Sequence, residues 1–449
     1  MLQKFRVLVA IILSVVIAGQ PLPAMAAGIS LIRDTEIENT IRDYATPLFA
    51  AAGLQPDNIR IFIVNSDDIN AFVAGGQNLF LNSGLLVRAE NPNQIMGVIA
   101  HETGHIAGGH LARLQEELRR ASIAQILTMV LGAAAIAASG QGQAGAGVTI
   151  GGTEMVRRVL LQYNRNQEQA ADQAGVRYLD AIGQSSRGMV EILEKLSGQE
   201  MLLASRQSPY VRSHPLTSER MDFVRNHLAN SPYADAPPPE GFPMRHKRMV
   251  AKLHGFMQQP GKTLMDYPAS DTSLPARYAR AIAYYRIPDM NRAVPAIDAL
   301  IADYPDDPYF RELKGQMLYE NGRVAEAQKA YAEAIERLPD APLIRASHAE
   351  TLLALNNEDA TRRALADLQQ AVRQQSENSR AWRQLAIAHG RLGDTGLAAL
   401  ALAEEALLTG QRQTARQQAR RAQAQLPVGS PGWLRAEDIE TTTRRESER

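Results

Sequence analysis

Cysteine is absent from the 449-residue chain. Its absence excludes disulfide bonds, zinc sites built from thiolates, a cysteine nucleophile and lipid attachment through cysteine. A net charge is absent too, because 48 Lys and Arg residues balance 48 Asp and Glu residues, so nothing indicates a nucleic-acid partner. Aromatic residues make up only 5%, but 45% of the residues are hydrophobic, which excludes a chain that is disordered throughout.

The first segment of the sequence is typical of a secretory signal peptide. Lys4 and Arg6 precede an apolar core, and Ala24-Met25-Ala26 supplies the small residues at which signal peptidase cleaves. An uncleaved membrane anchor is the alternative, but it requires about 20 apolar residues and this core is shorter. We therefore predict a signal peptide over residues 1–26, cleavage near Ala26, and export of the mature protein.

One long apolar run follows the signal peptide. Ile123–Ala138 has 16 residues, fewer than a membrane-spanning helix requires. Three interpretations of this run stay open: a buried core helix, a hydrophobic lid over a cleft, or a loop that makes peripheral contact with a membrane. Because the mature chain has no second run of this length, a protein that crosses the membrane several times is a poor match.

Four regions follow the signal peptide. Residues 27–231 mix helical periodicity with short β-branched segments, which predicts a mostly helical α+β domain with a small sheet. The sequence of residues 232–274 predicts a Pro-rich linker and a connecting helix. The sequence of residues 275–426 predicts helices throughout. Residues 427–449 are charged and poor in large apolar side chains, so we expect a disordered tail.

The helical region repeats itself. The turn residues Gly322, Asn357 and Gly393 lie 35 and 36 residues apart. A period near 34 residues within paired helices is typical of tetratricopeptide repeats, which stack into a solenoid with a concave face. A long irregular helical domain is the alternative. The regular spacing favours an all-α repeat solenoid that recruits other proteins.

The motif His101-Glu102-Thr103-Gly104-His105 carries the strongest chemical signal. On a helix, positions four apart share a face, so His101 and His105 can bind one metal ion. Glu102 lies beside that face and is the candidate catalytic base, taking a proton from the attacking water and returning it to the leaving amine. A chance match on a surface helix is the alternative. We interpret His110, five residues further on, as a packing or surface histidine.

A catalytic zinc site needs a third protein ligand and an open position for water. Glu168 and Asp172 lie four residues apart in an acidic stretch of a predicted helix. We assign Glu168 as the third ligand, against the alternative of an exposed Glu on a polar helix. We then expect Asp172 behind the ligands, where its carboxylate accepts a hydrogen bond from a ligand histidine and fixes the tautomer of that histidine. The expected cofactor is one Zn²⁺ per chain.

These motifs together resemble the zinc metallopeptidases of family M48. HETGH is followed by Glu168-Gln169-Ala170-Ala171-Asp172, the ExxAD pattern in which the family's Glu is the third ligand. The resemblance extends to residues 70–86 and to SHPLTSER at residues 213–220. Asn164 departs from the Ser that many members have, at a position that is not a ligand. The resemblance implies a zincin-like metallopeptidase fold for the first domain.

A strand before the zinc helix is a candidate binding site for substrate. An exposed strand edge accepts an extended peptide as an added strand, which favours unfolded or extended protein substrates. The resemblance implies this role for the edge that contains Asn70, Ala71, Phe72 and Val73. An ordinary structural hairpin is the alternative.

His214 is a candidate regulatory ligand. It precedes Pro215 at the start of a predicted helix, so a loop carries it, and an ordinary surface histidine is the alternative. His101, His105 and Glu168 would fill three of four tetrahedral positions, and a fourth imidazole would displace the water. The resemblance implies that the histidine of this motif acts as such a switch. Arg220 would hold the loop or contact the substrate.

Two functions from different classes follow. The first is an exported zinc endopeptidase that acts on misfolded or stalled envelope proteins. The resemblance implies that such a chain takes part in outer-membrane β-barrel quality control and assembly, with the repeats contacting the assembly machinery. The second is a chaperone or scaffold in which the repeats dominate and the zinc site is structural or permanently latent. Glu102 discriminates between them, because a structural site needs no general base.

Overall fold

The computed structural model of the protein describes residues 30–110, 165–197 and 209–447. The predicted signal peptide and the apolar run Ile123–Ala138 lie outside these ranges, as does Asn164. Among the described helices, none has the combined length and apolar character of a membrane span.

A small mixed sheet forms part of the first domain. Its strands are β1 (Leu31–Ile32), β2 (Arg60–Val64), β3 (Ala71–Ala74) and β4 (Asn78–Asn82). The spatial order is β1-β2-β4-β3; β2 and β4 are parallel, whereas β1 with β2 and β3 with β4 are antiparallel. Apolar residues alternate along β2 and β4, so Ile61, Ile63, Leu79 and Leu81 enter the core from one face. Because β3 is the last strand in the spatial order, it lies at an edge of the sheet.

Seven described helices complete the first domain. They are α1 (Thr35–Ala51), α2 (Ser83–Arg88), α3 (Pro92–Ala107), α4 (residues 165–181), α5 (Arg187–Ser197), α6 (Pro209–Ser213) and α7 (Ser218–Asn230). Asn91 caps α3 by accepting a hydrogen bond from the backbone N–H of Gln94, and Pro92 suits the first turn. The apolar side of α3, with Ile95 and Ile99, is fully buried. This helix is the central element of the domain.

The helices α3 and α4 pack so closely that backbone atoms of one lie next to backbone atoms of the other. A Cβ atom at Gly104 would lie 2.8 Å from the carbonyl oxygen of Ala171, closer than real side chains allow. Gly175 makes the reciprocal approach to the backbone of Ala100. Glycine is therefore required at Gly104 despite its poor helix propensity, because it lets the two helices that carry the candidate ligands meet.

From Phe242 to Ser447 the chain is helical apart from the turns between helices. Two helices, α8 (Phe242–Met257) and α9 (Pro260–Asp266), connect the domains. The repeat helices are α10 (Leu274–Arg286), α11 (Met290–Asp303), α12 (Pro308–Glu320), α13 (Val324–Arg337), α14 (Pro342–Ala354), α15 (Glu358–Gln374), α16 (Ser379–Arg391), α17 (Thr395–Leu408), α18 (Arg412–Gln425) and α19 (Pro431–Ser447). The predicted class, a mostly helical α+β chain with a small sheet and helical repeats, is confirmed.

The expectation of a disordered tail is wrong. Residues Pro431–Ser447 form α19, which packs on α17 and α18. Ala436 and Ile439 are buried against a layer of alanines, and Thr443 continues the same helix face. The charge count of this segment concealed a narrow apolar stripe with helical spacing, which needs only small side chains because the facing helices also present alanine.

A buried polar cluster joins the first domain to the repeats. Glu36, on the first turn of α1, is 3% exposed. Its carboxylate lies 2.8 Å from the Arg248 guanidinium and 3.3 Å from the Lys252 ammonium, both on α8. The hydroxyl of Tyr278, on α10, donates a hydrogen bond of 2.9 Å to the same carboxylate. Three segments of the chain therefore converge on one buried anion.

Candidate metal centre

The HETGH residues lie on one continuous helix, as the spacing predicts. His101 and Glu102 are each 1% exposed on α3, and His105 lies one turn later. The Nε2 atoms of the two histidines are 3.1 Å apart. Both imidazoles therefore direct the same ring atom toward a single point.

Two further residues approach that point from other elements. Glu168, on α4, places Oε2 3.3 Å from His101 Nε2 and Oε1 3.4 Å from His105 Nε2. His214, just after α6, places Nδ1 3.3 Å from His101 Nε2 and 3.1 Å from both Glu168 oxygens. One ligand atom from each of these four residues lies within 4.8 Å of the others.

The dimensions of this group match a tetrahedral metal site. Bonds of about 2.0–2.1 Å from zinc to nitrogen and oxygen put neighbouring ligand atoms about 3.3 Å apart at tetrahedral angles. The separations given above, 3.1 to 3.4 Å, fall around that value, and all four ligand atoms lie within 4.8 Å of one another. Imidazole and carboxylate donors are also a set that zinc prefers. The four residues fit a zinc ion.

Glu102 is the unusual member of the site. Neither of its carboxylate oxygens has a hydrogen-bond partner among the described residues, although both are buried. Its Oε1 lies 3.6 Å from His214 Nε2, which is beyond hydrogen-bonding distance. A buried carboxylate without a partner costs folding free energy, so such a group is typical of a functional position whose partner is water or substrate.

Family comparisons agree with this geometry. The model of peptidase family M48 matches residues 32–228, and a tetratricopeptide-repeat model matches residues 278–342. The chain carries a family M48 metallopeptidase domain followed by tetratricopeptide repeats. The family implies a metal ion, generally zinc.

Named relatives match this chain over different lengths. The Beta-barrel assembly-enhancing protease of Escherichia coli (strain K12) is 26% identical over 411 residues, which cover 89% of this chain and 81% of that protein. Its Yersinia pestis namesake is 25% identical over 327 residues, covering 72% of this chain but 66% of that protein. Metalloprotease LoiP of Escherichia coli is 27% identical over 175 residues, 39% of this chain and 64% of LoiP.

Behind the candidate ligands of the M48 domain lies Asp172. Its Oδ1 lies 2.8 Å from the Nδ1–H of His101, so the carboxylate directs the Nε2 atom of that histidine toward the metal position. Burial is the largest influence on the His101 pKa and lowers it, but hydrogen bonds with Asp172 and Glu168 together raise that pKa to about 10. The pKa of Asp172 is lowered: burial opposes ionisation, but hydrogen bonds from Arg220 and His101 outweigh it.

Arg220 of the M48 domain is among the largest fully buried side chains. Its Nε and Nη2 donate hydrogen bonds of 2.5 and 2.9 Å to Asp172. Its Nη1 donates to the carbonyl oxygen of Pro215 and lies 3.0 Å from Glu168 Oε2. Since Arg220 is buried and bound to Pro215, its position favours the loop-holding alternative over substrate contact.

Sequence reasoning missed the surroundings of His110. This residue is 7% exposed, and its Nδ1 lies 3.0 Å from His105 Nδ1. The interpretation as a packing or surface histidine assumed that α3 continues past the motif. In the structure α3 ends at Ala107, and Gly108-Gly109 forms a turn. The adjacent glycines were the signal that could have revealed it.

The candidate substrate strand lies beside α3. Ala71, Phe72 and Val73 belong to β3, and Asn70 immediately precedes it. One side of β3 pairs with β4, and the strand also packs against α3. An edge strand next to the HETGH helix has the placement that strand addition by a peptide requires.

Proposed function

We propose that this protein is an exported zinc endopeptidase that acts on misfolded or stalled envelope proteins. The observation that carries the proposal is the buried, unpartnered carboxylate of Glu102 beside a four-residue group with tetrahedral dimensions. A purely structural zinc site offers no reason to bury a carboxylate without a partner.

In this proposal the side chains have separate tasks. His101, His105 and Glu168 hold the ion. When bound, zinc supplies Lewis-acid polarisation of the peptide carbonyl and acidifies the attacking water. Glu102 accepts the proton of that water and delivers it to the amine that leaves when the peptide bond breaks.

The substrate binds as an extended chain. A peptide that adds to β3 through main-chain hydrogen bonds runs alongside α3, next to Glu102. Packed domains cannot offer such a strand, whereas unfolded or stalled proteins can. This selectivity fits a protease for quality control better than one with a defined sequence preference.

His214 keeps the enzyme latent in this proposal. Its Nδ1, 3.3 Å from His101 Nε2 and 3.1 Å from Glu168 Oε1, would take the fourth ligand position, where an attacking water would otherwise bind. Its Nε2 also faces Glu102 at 3.6 Å, so the same side chain covers the base. Activation then requires that the segment around His214 withdraws when a substrate or partner binds elsewhere.

The cellular role follows from the relatives and the repeats. Relatives that match 72% and 89% of this chain are named Beta-barrel assembly-enhancing protease. We propose that this chain likewise takes part in assembly and quality control of outer-membrane β-barrel proteins in the periplasm, reached through a signal peptide cleaved near Ala26. The concave face of the repeats contacts clients or the assembly machinery. In this proposal Ile123–Ala138 makes any peripheral membrane contact.

The proposal is tested with four purified proteins: wild type, H214A, E102Q and the double variant. All four are expected to contain one zinc per chain. H214A should cleave casein at least about tenfold faster than wild type, since the water position is freed, and E102Q should abolish that gain by removing the base. Equal cleavage by H214A and the double variant would refute the role of Glu102. No cleavage by any of the four would refute the peptidase.

One observation favours a second function. Four protein ligands with tetrahedral spacing are typical of structural zinc sites, whereas catalytic sites keep one position open. In this alternative the protein is a chaperone or scaffold, and the metal stabilises the first domain. It predicts that E102Q suppresses the aggregation of an unfolded β-barrel protein as well as wild type, and that H214A loses zinc and gains no activity.

A further inference from the structure

The ring of His105 has two nitrogen atoms with different neighbours. Its Nε2 lies in the candidate metal group, 3.1 Å from His101 Nε2 and 3.4 Å from Glu168 Oε1. Its Nδ1 lies 3.0 Å from His110 Nδ1. A neutral imidazole that binds a metal through Nε2 carries its proton on Nδ1, so Nδ1–H must donate to His110 Nδ1. His110 is therefore the acceptor that selects this tautomer.

The backbone turn after α3 brings His110 to that position. On a continuous helix, residues five apart are separated by about 140° around the axis, so His110 would point away from His105. Instead α3 ends at Ala107, and Gly109 adopts a left-handed φ of 62°. The His110 ring folds over Gly108, where an added Cβ would lie 2.4 Å from its Nε2. Both glycines are needed for this arrangement.

A second element holds the backbone of His110. The side-chain Nε2 of Gln167, on α4, donates a hydrogen bond of 3.4 Å to the His110 carbonyl oxygen. Gln167 immediately precedes Glu168, so one helix both provides a candidate ligand and fixes the residue that orients another. His110 and His105 also meet edge to face, with ring centroids 4.9 Å apart.

The two helix histidines thus have different acceptors behind them. His101 donates to the carboxylate of Asp172, whereas His105 donates to an imidazole. We propose that His110 is a positioning residue that fixes the tautomer and orientation of His105 for metal binding and is not itself a ligand. This inference rests on the proposed metal site and adds a residue to it. Its removal should weaken zinc binding about 10- to 100-fold, the effect typical of lost acceptors behind a ligand histidine.

Two variants of the full-length protein separate the loss of the hydrogen-bond acceptor at position 110 from the loss of side-chain volume there. H110L fills the space without a hydrogen-bond acceptor, whereas H110N retains an amide oxygen. Zinc affinity is measured by competition with a chelating dye, and the ligand geometry by the absorption of bound Co²⁺. We expect H110L to bind zinc about 10- to 100-fold more weakly with an altered cobalt spectrum, and H110N to recover most of that loss. H246A is the matched control, because His246 is also a buried histidine and is hydrogen-bonded to the carbonyl oxygen of Ala89. The zinc affinity of H246A should equal that of wild type.

Equal zinc affinities and cobalt spectra in H110L and H110N would overturn the inference. If H110L does not fold, H110A decides the question, because it removes the imidazole acceptor without adding a larger side chain and without a new contact to the backbone of α3. Weaker zinc binding in H110A than in H110N supports the positioning role, and wild-type affinity in H110A overturns it. A wild-type protein that binds no zinc would instead refute the proposed metal site, which distinguishes the two failures.

Discussion

The buried anion Glu36 allows a quantitative test of how the two domains are joined. The substitution E36Q preserves the volume of the side chain but removes its charge. Arg248 then retains Asp307 at 2.5 Å, and Lys252 retains Asp34 at 2.6 Å, so each cation keeps one of its two partners. The hydroxyl of Tyr278 loses a charged acceptor as well. The variant therefore leaves the buried Lys252 and the half-buried Arg248 with one carboxylate partner each instead of two.

The expected destabilisation is large for a change of so few atoms. Removing one member of a buried ion pair costs about 3–5 kcal/mol, and the remaining anions place E36Q near the lower end. At about 2–4 °C per kcal/mol for a domain of about 200 residues, a loss of about 3 kcal/mol lowers the Tm by about 6–12 °C. Differential scanning calorimetry measures this shift, and it shows whether the two domains still unfold in one transition.

A surface pair provides the control. Glu326 binds Arg323 through both carboxylate oxygens, but the two side chains are 54% and 43% exposed. Exposed pairs of this kind contribute little to stability, so E326Q should lower the Tm by much less than E36Q does. If E36Q melts like E326Q, the charges at the interface do not hold the domains together, and the apolar contacts around them do.

Two further predictions follow. D172N should bind zinc about 10- to 100-fold more weakly than wild type in a chelator competition, because an amide orients His101 less well than a carboxylate; unchanged affinity would contradict the role of Asp172. Burial raises the pKa of Glu312 to about 8, so the folded protein binds a proton that the unfolded chain has lost above about pH 5. Stability therefore falls between about pH 5 and 8, and E312Q should gain Tm over wild type as the pH rises; a difference that stays constant with pH would contradict the shift.

Local patterns were sufficient to predict most of the architecture. The helical repeats, and the mixture of helices and strands in the first domain, are predicted from the spacing of apolar residues over a few positions. This spacing depends only on which face of each segment is apolar. The helix that carries HETGH is predictable for the same reason, because a spacing of four residues has meaning only on a helix. In the tail, the stripe formed by Ala436, Ile439 and Thr443 was too narrow to stand out against the surrounding charges.

Long-range and backbone features could not be read in this way. Arg220 and Asp172 are 48 residues apart, and nothing in the sequence indicates that they form a buried pair. The contact between His105 and His110 depends on a left-handed φ at Gly109, which a helical projection does not contain. The polar cluster at Glu36 unites three segments whose charges each resemble an ordinary solvated surface. Such features depend on tertiary packing, which decides whether a polar residue is exposed or buried.

In the proposed latent enzyme, Arg220 and Tyr210 limit how His214 can leave the metal position. On one side, Arg220 donates to the carbonyl of Pro215 while it pairs with Asp172, and disrupting that buried pair would cost about 3–5 kcal/mol. On the other side, the backbone N–H of His214 donates to the carbonyl of Tyr210, and the two rings pack with centroids 4.6 Å apart. One backbone hydrogen bond contributes only about 0.5–1.5 kcal/mol. Withdrawal that leaves the pair of Arg220 and Asp172 intact is therefore the less costly route, because Asp172 then stays in place to orient His101 in the proposed active enzyme.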